Sequence, residues 1–155
     1  MGVDPLQTMS FERHRDVFTV STDPDRLDFG AIHSFLSTSY WAEGIPRETL
    51  DRALRNSLCF GLYEGPRQIG LARVITDAAT YAYLCDVYVL PEWRGRRLGT
   101  WLIECVTAHP ELQGLRRLSL VTRDAHELYR PFGFKEIQNP GRHMEIVRPG
   151  LYKGS

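Results

Sequence analysis

The chain has 155 residues, the length of a single domain. Its 43% hydrophobic and 25% charged residues are typical of a folded globular protein and exclude an intrinsically disordered one. Nineteen Lys and Arg balance nineteen Asp and Glu, so the formal net charge is zero, which argues against proteins that bind nucleic acids or membrane surfaces through basic residues.

The first third of the chain predicts one strand and two helices. Apolar alternation over Val17–Ser21 predicts the strand. Asp23-Pro24 suits the start of a helix, and the apolar residues of Leu27–Leu36 recur at helical spacing. Ser37–Gly44 breaks this pattern and is predicted as a loop, after which a second helix begins near Pro46.

From Cys59 onwards the hydrophobic period changes to that of strands. Cys59–Glu64 and Ile69–Thr76 flank the turn Gly65-Pro66 and predict a hairpin, and Thr80–Leu90 predicts a third strand. Because short turns join these three strands, we expect them to be antiparallel neighbours.

The clearest helix of the chain comes next. Its apolar face consists of Leu98, Trp101, Leu102, Cys105, Val106 and His109. Pro110 ends this helix, and a short strand follows over Leu118–Thr122. We expect this strand to lie parallel to Thr80–Leu90, because a helical crossover normally joins parallel strands.

The C-terminal part predicts a helix over Asp124–Pro131 with Gly133 as its C-cap, and one or two closing strands that include Met144–Val147. The fold class is therefore α/β (α+β), with a mixed, mostly antiparallel sheet of six to seven strands flanked by about four helices. We expect residues 9–150 to form one domain and residues 1–8 to be a leader or sequence added for expression.

Cysteines and histidines do not have the spacing of a metal site or a disulfide framework. Cys59, Cys85 and Cys105 lie in apolar runs without a CxxC pair, which predicts buried free thiols in a reducing compartment. The five histidines lie far apart, so we expect no metal. The sequence shows neither a signal peptide nor an apolar run of about 18 residues, and we expect a cytoplasmic protein.

The segment with a chemical signal is Val87–Thr100, in which a strand leads through an Arg- and Gly-rich turn into the strongest helix. The unpaired N–H groups and the positive dipole end of a helix N-terminus attract phosphate, and nearby arginines add charge. A cofactor that bears a pyrophosphate therefore fits here, although an ordinary turn with solvated arginines would have the same pattern. Neither of the common nucleotide motifs, GxxxxGK[ST] and GxGxxG, is present.

Residues Asp86–Thr100 resemble the central motif of the GNAT family of N-acetyltransferases, in which a strand ending V-x-P precedes R/Q-x-x-G-x-G/A. Arg94 takes the first position of this motif and Gly99 the last, whereas Arg97 replaces the middle glycine. We expect either that the turn needs no positive φ at Arg97 or that the site has adapted, with the arginine pointing outward towards a phosphate.

A second landmark of the family is a strand followed by a helix with Tyr and then Gly-Phe. It matches Leu118–Thr122, Tyr129 and Gly133-Phe134. The resemblance therefore covers about residues 11–147.

The resemblance implies the GNAT acyl-CoA N-acyltransferase fold and direct transfer of an acetyl group from acetyl-CoA to an amine, without an acyl-enzyme. The cofactor-binding residues that it implies are Val87, Tyr88, Val89, Arg94, Gly95, Arg96, Arg97, Leu98, Gly99, Thr100 and Thr122. The backbone of Val87–Val89 would pair with the pantetheine arm, and the Val89 N–H would stabilise the oxyanion. Thr122 stands where many members have a cofactor-binding asparagine, and Arg123 or Arg130 would meet the 3′-phosphate.

The family also implies two proton transfers. Tyr129 matches the tyrosine that protonates the departing CoA thiolate. Three candidates are left open for the base: Asp86, Tyr83 acting through water, and His126. Strand alternation places Asp86 on the face opposite Val87 and Val89 unless a bulge intervenes.

The acceptor is expected to be a primary amine of a small molecule or peptide. In this fold its slot lies between Ser37–Gly44, Tyr83–Asp86 and Asn139–His143, with Tyr40, Trp41 and His126 as substrate contacts. A non-catalytic acyl-CoA-binding sensor or partner module of the same fold is the alternative function. A homodimer is left open, and no nucleic-acid or membrane partner is expected.

Overall fold

The strands of the central sheet follow one another in space in the order in which they occur in the chain. The computed structural model describes residues 10–153. Its strands are β1 (Glu12–Arg15), β2 (Phe18–Ser21), β3 (Leu58–Glu64), β4 (Arg67–Thr76), β5 (Tyr81–Val89) and β6 (Arg117–Leu120). Its helices are α1 (Phe29–Leu36), α2 (Arg47–Arg55), α3 (Leu98–Ala108) and α4 (His126–Tyr129).

The pairing of the strands confirms the predicted mixed sheet. β1 to β5 are antiparallel neighbours, whereas β6 pairs parallel with β5 after the α3 crossover. A sheet of six strands also agrees with the predicted number.

Two groups of buried apolar side chains hold the helices to the sheet. Because side chains alternate along a strand, Phe60 and Ala72 join the core with α3, whereas Cys59 and Leu71 join the core with α1 and α2. The two cores together fix the ends of β4 and β5, on which the functional residues lie.

The first helix begins later than predicted. Asp23 accepts a hydrogen bond from the Asp25 amide, but the turn that it caps, Pro24–Arg26, is a short 3-10 helix. Leu27 is extended, and α1 is capped by Asp28, which accepts a 2.9 Å hydrogen bond from the Ala31 amide.

Two predictions about strands were wrong. β1 was not predicted, because all four of its residues are exposed and polar and show no apolar alternation. Met144–Val147 is not a strand: it is exposed and has no regular secondary structure. The predicted last helix is a single turn, α4, followed by a 3-10 turn that ends at Gly133 with a φ of 99°, so the predicted C-cap is confirmed. The proposed leader, residues 1–8, lies outside the described residues.

Candidate functional site

β5 contains a bulge at the residue whose orientation the sequence left open. The register with β4 shifts between Leu71 and Arg73, so that Asp86 and Val87 together oppose Ala72. Asp86 has a φ of 51°, a left-handed conformation that few residues other than glycine adopt. The bulge interrupts the alternation that would otherwise place Asp86 opposite Val87 and Val89.

β5 and β6 separate beyond this point. β6 ends at Leu120, which pairs with Leu84, so Cys85–Val89 has no described strand partner on the side of β6. Tyr88 is buried and stacks on Phe35 with ring centroids 4.0 Å apart, so its backbone rather than its ring is available to a ligand in the opening. The opening is an unpaired strand edge to which an extended ligand can add by backbone hydrogen bonds.

The Arg- and Gly-rich turn connects this edge to α3. Arg94 donates a 2.9 Å hydrogen bond from Nε to the Val89 carbonyl, and Gly95 has a φ of 83°. Arg96 and Arg97 are exposed and have no ion-pair partner among the described residues. The guanidinium groups of both residues are therefore available to an anion.

Arg97 is the N-terminal cap residue of α3 and has a φ of 60°. The expectation that the turn needs no positive φ here is wrong: the arginine itself adopts the left-handed conformation that glycine would adopt without strain. The next residue, Leu98, is buried and anchors the helix, whereas Gly99 and Thr100 follow in its first turn. The first amides of a helix lack intrahelical acceptors and are oriented towards this turn.

Asp86 is held by two donors. Its Oδ2 accepts a 2.7 Å hydrogen bond from Arg73 Nε, and its Oδ1 accepts a 2.8 Å hydrogen bond from Trp41 Nε1. Arg73 also donates to the Ser57 hydroxyl at 3.1 Å. Burial lowers the pKa of Arg73, but the neighbouring Asp86 carboxylate more than offsets this effect, so the pKa of Arg73 is raised above its usual value.

The Asp86 pair borders a cavity of about 270 Å³. Its lining residues are Leu36, Trp41, Ala42, Ile45, Leu50, Arg73, Tyr83, Cys85, Asp86 and Tyr152. Burial raises the pKa of Tyr83, and it raises the pKa of Cys85 to about 12, so both side chains are protonated at neutral pH. Asp86 is the one carboxylate among the described residues that line the cavity.

Tyr129 lies on the other side of the opening between β5 and β6. Its ring is 7% exposed, contacts Phe134 edge-on at 5.8 Å, and lines a cavity of about 870 Å³ together with Thr122 and His126. Burial raises the pKa of Tyr129 to about 12, so its hydroxyl keeps its proton at neutral pH. The Thr122 hydroxyl oxygen accepts from the Ala125 amide at 3.0 Å, which leaves the hydroxyl proton to donate.

The loop between α1 and α2 connects the two sides. Tyr40 contacts Trp41 edge-on at 5.0 Å, and the Arg123 guanidinium lies 3.9 Å from the centre of the Tyr40 ring. Through these contacts the loop reaches from Asp86, on β5, to the segment that follows β6. Tyr40 is 55% exposed and Trp41 43% exposed, so both rings remain accessible to a substrate.

The structure thus brings Tyr83, Asp86 and Trp41 together at one cavity and His126 and Tyr129 together at another. Residues Asn139–His143 do not line the smaller cavity, and Tyr152 from farther along the chain does. Sequence reasoning missed Arg73 and Tyr152. An arginine within the apolar run of β4 could have indicated a buried partner, whereas nothing in the sequence indicated Tyr152.

Two general searches agree with this description. Among residues 10–153 no three His, Cys, Asp or Glu side chains form a cluster that could hold a metal. Of the helices described, none has the length and apolarity that crossing a bilayer requires.

Comparison with known proteins gives a consistent result. Residues 27–134 match the family model described as the Acetyltransferase (GNAT) family. An inferred acetyltransferase of Gibberella zeae is 39% identical to this chain, and the match covers 80% of this chain and 82% of that protein.

Solved structures extend the comparison to the fold. An inferred GNAT-family acetyltransferase from Xanthomonas campestris pv. campestris is 52% identical, with a TM-score of 0.86 over 88% of this chain and 96% of that one. An inferred acetyltransferase from Clostridium acetobutylicum, crystallised with acetyl-CoA, has a TM-score of 0.60 over 90% of this chain and 96% of that one. At 18% identity, this second likeness shows the fold alone.

Proposed function

The chain belongs to the acetyltransferase (GNAT) family, and we propose that it transfers the acetyl group of acetyl-CoA directly to a primary amine of a small molecule or peptide. The observation that carries this proposal is the unpaired edge Cys85–Val89, which lies between the arginine turn and the cavity that Tyr129 lines. Acetyl-CoA in the crystal structure of the Clostridium acetobutylicum protein supports the identity of the donor.

The residues of this chain fit such a donor. The exposed edge Val87–Val89 offers backbone groups to a pantetheine amide, and the exposed Arg96 and Arg97 with the first amides of α3 offer donors to a pyrophosphate. Bound acetyl-CoA would supply a thioester carbonyl and a thiolate leaving group. The Val89 N–H is our candidate for stabilising the developing oxyanion.

Tyr129 is the proposed acid for the leaving thiolate. An acid must carry its proton at working pH, and the burial that raises the Tyr129 pKa to about 12 meets this requirement. His126 lines the same cavity but is exposed, so we assign it to substrate contact at the rim.

Asp86 is the proposed base and the attraction for the acceptor amine. A buried carboxylate that borders a small cavity attracts an ammonium group, and Arg73 and Trp41 each occupy one lone pair of a different oxygen, so each oxygen can accept a further hydrogen bond. The raised pKa of Tyr83 leaves its hydroxyl able to relay a proton through water rather than to act as a base itself. Cys85 is not proposed as a nucleophile, because its raised pKa leaves it as a thiol.

The acceptor is bounded by Trp41, Tyr83 and Tyr152. A cavity of about 270 Å³ favours a small amine or the end of a peptide chain over a large folded partner. The free thiols of Cys59, Cys85 and Cys105 support a reducing compartment such as the cytoplasm.

The test has two parts. Millimolar CoA or acetyl-CoA should raise the melting temperature, because a ligand that binds only the native state stabilises it. A panel of amines, amino acids and short peptides should then release free thiol from acetyl-CoA only when the enzyme and an acceptor are both present. Neither ligand raising the melting temperature would contradict the donor, whereas binding without thiol release on any amine would favour the acyl-CoA-binding module.

A further inference from the structure

The sheet is open at β6. β6 is last in the strand order, and among the described residues it pairs only with β5. The cavity of about 870 Å³ is lined by Arg116–Thr122 together with Phe132–Gln138, and no described backbone hydrogen bond joins these two segments. An open strand edge carries unpaired N–H and C=O groups that can pair with a further strand.

The segment on the far side of this cavity is fixed in place. The Glu136 carboxylate accepts two hydrogen bonds from the Arg130 guanidinium, which also donates to Glu127 at 3.0 Å. Phe134 packs edge-on against Tyr129. Because Phe134–Gln138 is held by these contacts, it forms a wall of the cavity and leaves the β6 edge uncovered.

The chain that follows has the composition of the missing strand but is not packed as one. We call residues 139–148 the C-terminal arm. Within it, Met144 is 97% exposed, Ile146 85% and Val147 59%, and these side chains have no place in either core. Asn139 has a φ of 56° and precedes Pro140, so the arm begins with a sharp turn. Exposed neighbouring apolar side chains of this kind mark a protein interaction site.

The far end of the arm is attached to a different part of the molecule. A Cβ atom added to Gly44 would lie 2.8 Å from the Tyr152 carbonyl oxygen, and Tyr152 lines the acceptor cavity beside Asp86. Tyr152 therefore holds the end of the arm at the α1–α2 loop, away from the β6 edge of its own copy.

Charge complementarity favours a second copy of this chain as the occupant of the open edge. The edge carries Arg116 and Arg117, and the arm carries Glu145 between its two most exposed apolar residues. We propose that two copies exchange arms, with Met144–Val147 of each copy added as a strand to the β6 edge of the other. The exchange is reciprocal, so it closes as a two-fold dimer and leaves no edge open for further growth.

Arm exchange would also complete the proposed acetyl-transfer site. The cavity that receives the arm is lined by Thr122, His126 and Tyr129, so an inserted strand would close the wall beside the proposed acid. This consequence for activity rests on the proposed function, whereas the dimer itself does not.

The first test is the mass of the protein in solution, measured by sedimentation equilibrium at micromolar concentration. The wild-type chain should have twice the mass of one copy. The double variant Met144→Glu, Ile146→Glu should be a folded monomer, because it places two carboxylates in the apolar slot. The matched control Val17→Glu, Ile75→Glu changes two exposed apolar residues outside the arm and should remain a dimer.

The second test uses the unmodified chain, so it stands even if the arm variant does not fold. Amide hydrogen exchange at Met144–Val147 should be slow in the dimer and should become at least tenfold faster on dilution to monomer. A monomeric wild type, a dimer that survives the arm variant, or arm amides protected equally at all concentrations would overturn the exchange; the last outcome would mean that each arm fills its own slot. These measurements need no acceptor and no acetyl-CoA, so failure of the proposed transfer leaves them unaffected.

Discussion

Asp86 and Arg73 form a buried ion pair across the β4–β5 bulge, with 2.7 Å between Oδ2 and Nε and with 8% and 16% of their side chains exposed. Asp86 also adopts a positive φ, so the bulge combines a strained backbone with a paired charge. The pair therefore links the stability of the sheet to the proposed acceptor site.

Removing one partner of this pair should be costly. Asp86→Ala leaves the Arg73 guanidinium buried without its carboxylate, and we expect the free energy of unfolding to fall by about 3 kcal/mol in urea titrations. The control is Asp51→Ala, which breaks the exposed Arg47–Asp51 pair on α2 and should cost less than about 1 kcal/mol. Equal losses in the two variants would show that burial of the Arg73 pair has no special weight.

Tyr129→Phe should separate catalysis from packing. The variant keeps the buried ring and removes the hydroxyl, so kcat should fall at least tenfold while the melting temperature and acetyl-CoA affinity barely change. Full kcat on a verified acceptor would make Tyr129 a packing residue.

The control for this variant is Tyr63→Phe. Tyr63 is 1% exposed, and its hydroxyl is the buried side-chain oxygen that lacks a hydrogen-bond partner among the described residues. Removing it should leave activity unchanged and raise the free energy of unfolding by up to about 1 kcal/mol, because an unsatisfied buried polar group is lost.

Arg97→Gly should affect stability and donor binding in opposite directions. Glycine relieves the strain of the φ of 60°, so the free energy of unfolding should rise by about 0.5–1 kcal/mol, while loss of the guanidinium raises the KM for acetyl-CoA. Arg96→Gly is the matched control, since Arg96 has no positive φ and its replacement should bring no gain in stability. An unchanged KM in Arg97→Gly would show that the arginine does not contact the donor.

Charge reversal at Arg94 should weaken binding of acetyl-CoA at least tenfold, because the exposed turn would present a carboxylate to the donor's phosphates. Arg148→Glu makes the same change in charge outside the turn and should have a smaller effect. Isothermal titration measures both affinities, and melting of the unliganded variants checks that loss of the Arg94–Val89 hydrogen bond has not unfolded the turn. Equal effects at the two positions would exclude a specific role for Arg94.

Stability should fall at alkaline pH. Burial raises the pKa values of Cys59, Cys85 and Tyr129 from 9.0, 9.0 and 10.0 to about 12 in the folded chain. The unfolded chain therefore loses these protons first, so the stability is fully present below about pH 9 and is lost as the pH rises towards 12. Urea titrations between pH 8 and pH 11 measure the decline, and Cys59→Val should make it shallower. A flat profile over this range would contradict the burial of these groups.

Much of the architecture follows from local pattern. The apolar face of α3, the hairpin of β3 and β4, and the parallel β6 were predicted because period and turn residues depend on near neighbours in the chain. β1 was missed because its four residues are all polar, and Met144–Val147 was predicted as a strand from composition although it has no partner within its own chain. Whether an apolar segment becomes a strand depends on which edge it can reach.

The candidate site divides in the same way. The sequence by itself determined the arginine turn, the helix that follows it and the candidate acid Tyr129, because each belongs to a contiguous motif whose spacing is read along the chain. Only the tertiary structure decided that Arg97 takes a left-handed conformation, that a bulge turns Asp86 towards Arg73 and Trp41, and that Tyr152 borders the same cavity. Trp41 and Asp86 are 45 positions apart, and their contact follows from the packing of the α1–α2 loop against β5, to which residues in both cores contribute.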